Sequence, residues 1–270
     1  MSSDHTPQRP GDIWIDLPTL MDHVRTEHIS LRPVLLDTIS STNDVARELV
    51  SQGAGDWLLV MARTQTRGRG RRNRSWISPE GGLYMSLTLR PPLADLPVSL
   101  LTILAGCGVH CAIEKLTGLS VCLKWPNDVL CRGLKLAGIL CELMTEPTMM
   151  VIVGIGVNVN VRAGDLREEL RGRATSLLEE SGSRLRVEAV AGRIISEIAS
   201  RVELVENEGS YSSVLDEWRS INCTLGRIVV VNDVTTQQGL AVDIDDVGRL
   251  VVQTDEGRLI AVEAGDIEYV

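Results

Sequence analysis

The sequence predicts an α+β fold, a mixed-sheet main domain followed by a small β-barrel, on three observations. Apolar strand-like runs alternate with helical stretches through about residue 222. From Leu225 the pattern changes to short strands with tight turns. The 270 residues suit one main domain with an appendage but not three domains. The expected division is a segment of residues 1–32 with a short helix, a main domain of 33–222 and a barrel of 223–270.

In chain order, Leu17 to His28 has the composition of one short helix, too little for a helix-turn-helix domain. Val34-Leu35-Leu36 is a strand, and Ser40-Ser41-Thr42-Asn43-Asp44 follows as a cap for a helix carrying Val45, Ala46, Leu49 and Val50. Trp57 to Ala62 and Leu83 to Leu89 are strands, so the Arg/Gly segment between them is a loop. Val98 to Leu116 is an apolar central helix. Strands follow at Val121 to Trp125, Lys135 to Leu143 and Met149 to Asn160, then helices at Val187 to Glu206 and Tyr211 to Ser220. Strands at Arg227 to Val231, Leu240 to Ile244, Arg249 to Thr254, Arg258 to Val262 and Ile267 to Val270 complete the barrel, with turns at Asp246-Val247-Gly248 and Asp255-Glu256-Gly257.

Composition narrows the function. Hydrophobic residues make up 44% of the chain with no Phe, so the core rests on Leu, Val and Ile. A net charge of −9 disfavours general binding to nucleic acid and DNA. Arg clusters once, at Arg67, Arg69, Arg71, Arg72 and Arg74, which points to a small anionic ligand. The six cysteines show no metal-ligand or disulfide spacing, so they are expected to be reduced and buried, and the identity of any metal ligands stays open. No leader pattern opens the chain, and the apolar run Val98 to Val109 is shorter than the roughly 20 residues of a membrane span. A cytoplasmic protein without a membrane partner is the expectation.

In Gln65-Thr66-Arg67-Gly68-Arg69-Gly70-Arg71-Arg72-Asn73-Arg74-Ser75-Trp76, alternate glycines let backbone N–H groups converge on an anion. The guanidinium groups add bidentate donors for carboxylate or phosphate, and Trp76 adds a flat face for a purine. Taken alone, such a run reads equally as a solvated basic loop or an RNA-binding segment. Lys124-Trp125-Pro126-Asn127-Asp128 places a cation, an amide and a carboxylate around a turn. Lys135-Leu136-Ala137-Gly138-Ile139-Leu140 begins a strand with a second cation and a glycine that allows close approach. Gly154-Ile155-Gly156 precedes no helix and is no dinucleotide fingerprint.

In type and order, the STN of Ser41 to Asn43, QTRGRGRRNRSW, KWPND, KLAGIL and GIGVNVN from Gly154 to Asn160 resemble the biotin protein ligase family. The resemblance spans Val34 to Asn160, and the terminal barrel resembles the SH3-like domain that closes these enzymes. It implies ATP-dependent conversion of biotin to biotinyl-5′-AMP, with Mg²⁺, and transfer to a lysine of the biotin carboxyl carrier domain of acetyl-CoA carboxylase or a related carboxylase.

By position, the resemblance places Ser41, Thr42, Asn43 and Gln65 on the ureido ring of biotin. Gly68, Arg69, Gly70 and Arg71 belong to the loop over the valeryl carboxylate and the adenylate phosphate, with Lys135 and Gly138 beside it. Arg74, Trp76, Asn127 and Asn158 fall on the adenylate and ATP side. Arg71, Lys135, Asp128 and Lys124 are the candidate catalytic group, in which Asp128 assists magnesium or the incoming lysine.

The chain departs from the family pattern at Asn73, where glycine is usual, and at Arg67, where a small residue is usual. It also ends in Asp266-Ile267-Glu268-Tyr269-Val270 without the arginine often found there. Without a DNA-binding domain, the gene-repressor role of some relatives is expected to be absent. Two rival functions stand beside this one: a lipoate-type acyl ligase on the same fold, and a non-catalytic ligand-binding regulator. Pairing of two catalytic domains through sheet edges is left open.

Overall fold

A computed structural model describes residues 14–26, 29–93, 97–165, 172–232, 236–263 and 265–269. Helix α1 (Leu17–His23) leads into strand β1 (Arg32–Ile39), helix α2 (Thr42–Ser51), β2 (Leu58–Gln65) and β3 (Leu83–Leu89). The long helix α3 (Val98–Thr117) is followed by β4 (Val121–Lys124), β5 (Asp128–Cys131), β6 (Leu134–Met144) and β7 (Met150–Val157). Helices α4 (Leu177–Ser181), α5 (Val187–Glu208) and α6 (Ser212–Ile221) complete this part. The rest is β8 (Ile228–Asn232), β9 (Thr236–Ile244), β10 (Leu250–Gln253), β11 (Leu259–Val262) and β12 (Asp266–Tyr269).

The first sheet has seven strands in the order β1-β2-β3-β7-β6-β5-β4. Only β1 and β2, joined by the crossover helix α2, run parallel, so the sheet is mixed as expected. Period-two side-chain alternation divides its apolar residues between two cores. Leu59, Met61, Leu83, Met85 and Leu87 point to one face with Leu104 of α3 and Ile194 of α5. Leu58, Val60 and Ile152 point to the other, under Ala46 and Val50 of α2. Because α2 is only ten residues long, it covers part of its face and leaves a stretch of β3, β6 and β7 open.

Two elements escaped the sequence. β5 is four residues long and forms a hairpin with β4 through the KWPND turn, too short to show a period of its own. α4 is one turn of helix with Ser176 capping through its hydroxyl to Glu179 N at 3.1 Å. The apolar helix is longer than the Val98 to Val109 run. At 20 residues α3 is long and apolar enough to cross a membrane, yet 67% of its most apolar window is buried, and it packs along α5 in the core.

The second sheet is antiparallel, ordered β11-β10-β9-β8-β12, a small-barrel arrangement. Asp245 and Thr254 accept the turn amides of Gly248 and Gly257, whose φ of 80° and 78° suits glycine. This sheet docks on the first through Trp125, 2% exposed. The Trp125 indole donates to Gly248 O at 3.1 Å, and its amide donates to Thr224 Oγ1 at 2.9 Å. The tryptophan of KWPND is thus a buried peg between the two sheets.

Candidate active site

The open part of the α2 face forms a cavity of about 320 Å³, within the range of small-molecule sites. The alternation in GIGVNVN creates it: Ile155 and Val157 point into the core while Gly154, Gly156 and Asn158 point out. On neighbouring strands Gly138 pairs with Gly156 and Leu140 with Gly154, and Tyr84 and Ser86 flank the two glycines from β3. The floor is therefore nearly bare backbone. A Cβ on Gly156 would lie 2.5 Å from Trp76 Cε2, and one on Gly138 would lie 3.0 Å from Trp76 Cζ3, so the indole rests on this surface.

At one end the cavity meets the start of α2. Ser41 is the N-cap residue but makes no side-chain capping bond, contrary to the expected cap, and it lines the cavity. Thr42 N donates to Gln65 Oε1 at 2.8 Å, and Gln65 Nε2 donates to Ser78 Oγ at 3.0 Å. Ser86 Oγ lies 2.8 Å from Thr42 Oγ1 and 2.6 Å from Asn43 Oδ1. Asn43 Nδ2 donates to Glu142 Oε2 at 2.7 Å. Ser41, Thr42 and Asn43 are all buried, so these mutual bonds fix amide and hydroxyl groups with little rotamer freedom left to lose on binding.

The other end is charged. Lys135 Nζ pairs with Asp128 Oδ1 at 2.7 Å and stands 5.4 Å from the Trp76 ring centroid. Asn127 Nδ2 donates to Ile139 O at 2.7 Å, and Asn158 Nδ2 donates to Thr175 O at 2.9 Å. Asn158 thereby holds a strap around Ala174, which pairs with Lys135 as a bridge and walls the cavity.

The Arg/Gly loop forms the side. Arg69 pairs with Asp44 and Glu142, each at 2.8 Å. Arg71 donates to Gly265 O at 3.4 Å, Arg72 to Asn232 O, and Arg74 pairs with Asp266, so the second sheet grips the loop. Burial pushes the Arg71 guanidinium below its ordinary pKa, with Asp266 and Asp128 pulling the other way. Asn73 has φ 58° and Arg72 φ 52°. Asparagine is a residue that reaches the left-handed region at modest cost.

Of the residues expected at the site, Ser41, Thr42, Asn43, Gln65, Arg69, Gly70, Arg71, Arg74, Trp76, Asn127, Asp128, Lys135, Gly138 and Asn158 all line this cavity. Gly68 lies outside it. Its carbonyl oxygen accepts from Trp76 N at 2.8 Å, and a Cβ there would meet Trp76 O at 2.4 Å, so it is a close-packing glycine of the loop. Lys124 is also outside, its ammonium 4.7 Å from the Tyr269 ring centroid. Desolvation lowers its pKa and Asp128 partly restores it.

Sequence reasoning missed Ser86, Glu142, Gly154, Gly156 and Arg173. Ser86 carried a signal as the hydroxyl inside the apolar run LYMSLTL. Gly154 and Gly156 carried one in their alternation with Ile155 and Val157. Arg173 lines the cavity from an irregular segment and carried none.

A mixed sheet with a polar cradle at a helix start, a cationic loop and an appended small barrel defines the biotin/lipoate type of protein ligase. Residues 35–158 match the biotin/lipoate A/B protein ligase family, and residues 224–269 match the biotin protein ligase C-terminal domain. The bifunctional ligase/repressor BirA of Bacillus spizizenii is 36% identical over 249 residues, 91% of this chain and 76% of that protein. The biotin–[acetyl-CoA-carboxylase] ligase of Mycobacterium tuberculosis is 32% identical, over 87% of this chain and 88% of its own length. The Aquifex aeolicus biotin protein ligase structure with biotin and ATP superposes with a TM-score of 0.78 at 30% identity, covering 88% of this chain and 98% of that one. The chain belongs to the biotin protein ligase family.

Proposed function

We propose that this chain activates biotin with ATP as biotinyl-5′-AMP and transfers the biotinyl group to one lysine of a biotin carboxyl carrier domain. One observation carries the assignment. A fixed amide-and-hydroxyl cradle, an indole on a glycine floor and a cluster of cations share a single cavity. A ureido ring needs both donors and an acceptor, which Ser41, Thr42, Asn43 and Gln65 offer together. Ser86 and Glu142 hold Thr42 and Asn43 in place.

A carboxylate does not acylate an amine unaided. Its oxygen attacks the α-phosphorus of ATP, pyrophosphate leaves, and a mixed anhydride remains. Negative charge grows on the α-phosphoryl oxygens, where Arg71 and Lys135 present fixed positive charge; such preorganised electrostatics is commonly the largest catalytic contribution. The loop of Arg69, Gly70 and Arg71 covers the anhydride and keeps water away, while Trp76, Arg74, Asn127 and Asn158 form the nucleotide side. Among the described residues no cluster of three metal-ligating side chains exists. Magnesium needs only one or two carboxylates when phosphates supply the rest, and Asp128, the carboxylate lining the cavity, is the residue that would hold it. Bound there, the ion would supply positive charge to the phosphate oxygens.

In the second step the carrier lysine, with an ordinary pKa of about 10.4, must lose a proton before it attacks the acyl carbon. Asp128 takes that proton, with the Lys124 ammonium near it. The carrier is assigned to acetyl-CoA carboxylase or a related carboxylase, as in the name of the mycobacterial relative. The test is pyrophosphate release with biotin and ATP, followed by the mass shift of an added carrier domain. Release with lipoate in place of biotin, or no heat of binding with biotin, would overturn the assignment.

A further inference from the structure

Glu142 stands where the polar cradle and the Arg/Gly loop meet. Period-two alternation on β6 sends its side chain to the face of Leu140, which lines the cavity. One carboxylate oxygen, Oε2, accepts from Asn43 Nδ2 at 2.7 Å and from Arg69 Nη2 at 2.8 Å. The other, Oε1, lies 3.3 Å from the Arg47 guanidinium of α2. A single group therefore touches the cradle, the loop and the helix beside the cavity.

Both ends of this bridge are directional. The Asn43 side chain is buried, and its Oδ1 accepts from Ser86 Oγ at 2.6 Å. Reversed, the amide would set its own oxygen against the carboxylate, acceptor facing acceptor, so Glu142 decides which edge Asn43 presents. On the loop side, a space of about 550 Å³ lies beneath the arginines, and β6 contributes Leu140 and Glu142 to its walls. The Arg69 guanidinium reaches Glu142 and Asp44 there, each at 2.8 Å. Asp44 is 46% exposed and Glu142 19%. Exposed pairs hold a loop weakly, which makes Glu142 the firmer anchor.

We propose that Glu142 is a positioning residue that couples cradle to loop: it sets the Asn43 amide for biotin and latches Arg69, so that a filled cradle and a closed loop stabilise each other. The coupling rests on the biotin reading, whereas the latch does not. A ureido group that fixes Asn43 fixes the Glu142 carboxylate in turn, and the carboxylate then holds Arg69 in one geometry. Linkage of this kind is reciprocal, so a latched loop also slows the departure of biotin. Asp44 holds the same guanidinium but makes no hydrogen bond to the Asn43 side chain among the described residues. It belongs to the latch and not to the coupling.

The five loop arginines, Arg67, Arg69, Arg71, Arg72 and Arg74, are trypsin sites. The rate of nicking there in the folded full chain reads the latch, and the factor by which saturating biotin slows it reads the coupling. Glu142→Gln, nearly the same size without the charge, is expected to be nicked faster than the parent without ligand. Its biotin protection factor is expected to fall about 5–10-fold, at the low end of common couplings between sites. Asp44→Asn is expected to speed ligand-free nicking and keep the parent's protection factor, a contrast that general loosening of the fold would not produce. Equal protection factors for Glu142→Gln and the parent would overturn the proposal, as would an Asp44→Asn factor reduced as far as that of Glu142→Gln. If Glu142→Gln fails to fold, Arg69→Gln cuts the same bridge at the loop, and undiminished protection at the four remaining arginines would overturn the proposal. Failure of the parent to take up biotin would sink the biotin reading and the coupling with it. Unaltered ligand-free nicking of Glu142→Gln with biotin still bound would sink the latch alone.

Discussion

Lys135 Nζ stands 2.7 Å from Asp128 Oδ1, so cation and carboxylate neutralise one another within the cavity. On the proposed reaction, an incoming adenylate phosphate would compete for that ammonium and release the carboxylate to act on the carrier lysine. Lys135→Ala is expected to slow adenylation by about 10²–10³-fold, the usual loss when one stabilising donor is removed. Asp128→Asn is expected to slow both half-reactions, and to shift the pH dependence of transfer from preformed adenylate. Single-turnover measurement of the two half-reactions separates them; an unchanged transfer rate across pH would remove Asp128 from the proton-accepting role.

Arg71→Gly is expected to let the adenylate escape. Arg71 reaches the Gly265 carbonyl of the second sheet while lining the cavity, so its loss removes one of the ties on the loop together with the proposed phosphate partner. Free adenylate acylates any accessible amine. Biotin labelling of an unrelated bystander protein should rise well above the parent's, and tight adenylate retention without such labelling would count against the lid.

The glycine floor predicts a division of effects. A Cβ on Gly154 would sit 2.3 Å from Asn43 Oδ1, whereas one on Gly156 would sit 2.5 Å from Trp76 Cε2. Gly154→Ala is expected to weaken biotin binding, because Asn43 is pinned by Glu142 and Ser86 and has nowhere to move. Gly156→Ala is expected to displace the indole and weaken nucleotide binding while biotin affinity persists. Calorimetry with each ligand on each variant tests the split; equal losses of both ligands would show that the floor acts as one unit.

These two glycines also mark how far the sequence could be read. The strands of the main domain other than β5 were legible because their apolar runs are continuous, as in Leu83–Leu89, which is buried throughout. The site was legible where ordered motifs such as STN and KWPND carry unusual polar types. It was not legible where function rests on an absent side chain, as at Gly156, or on register across strands, which brings Glu142 to Asn43. Nor could local patterns anticipate that Trp125, inside a motif, would serve the sheet junction.

Glu197 links acid stability to the α3/α5/α6 side of the core. It is 7% exposed and pairs with Lys115 and Arg193 at 2.9 Å and with Arg201 at 3.1 Å. Burial opposes its charge, but Lys115 and Arg201 prevail and hold the carboxyl at about 2, below its ordinary 4.5. A carboxyl with a depressed folded-state pKa contributes stability above the unfolded value and loses it as pH falls through the folded one. Glu197→Gln should therefore cost about 1–3 kcal/mol near neutrality, since Lys115 is half-exposed and Arg201 keeps Glu217. The difference from the parent should then shrink as pH falls from 4.5 toward 2. Urea midpoints across that window measure it; a stability difference constant with pH would mean that the Glu197 carboxylate is not the group protonated there.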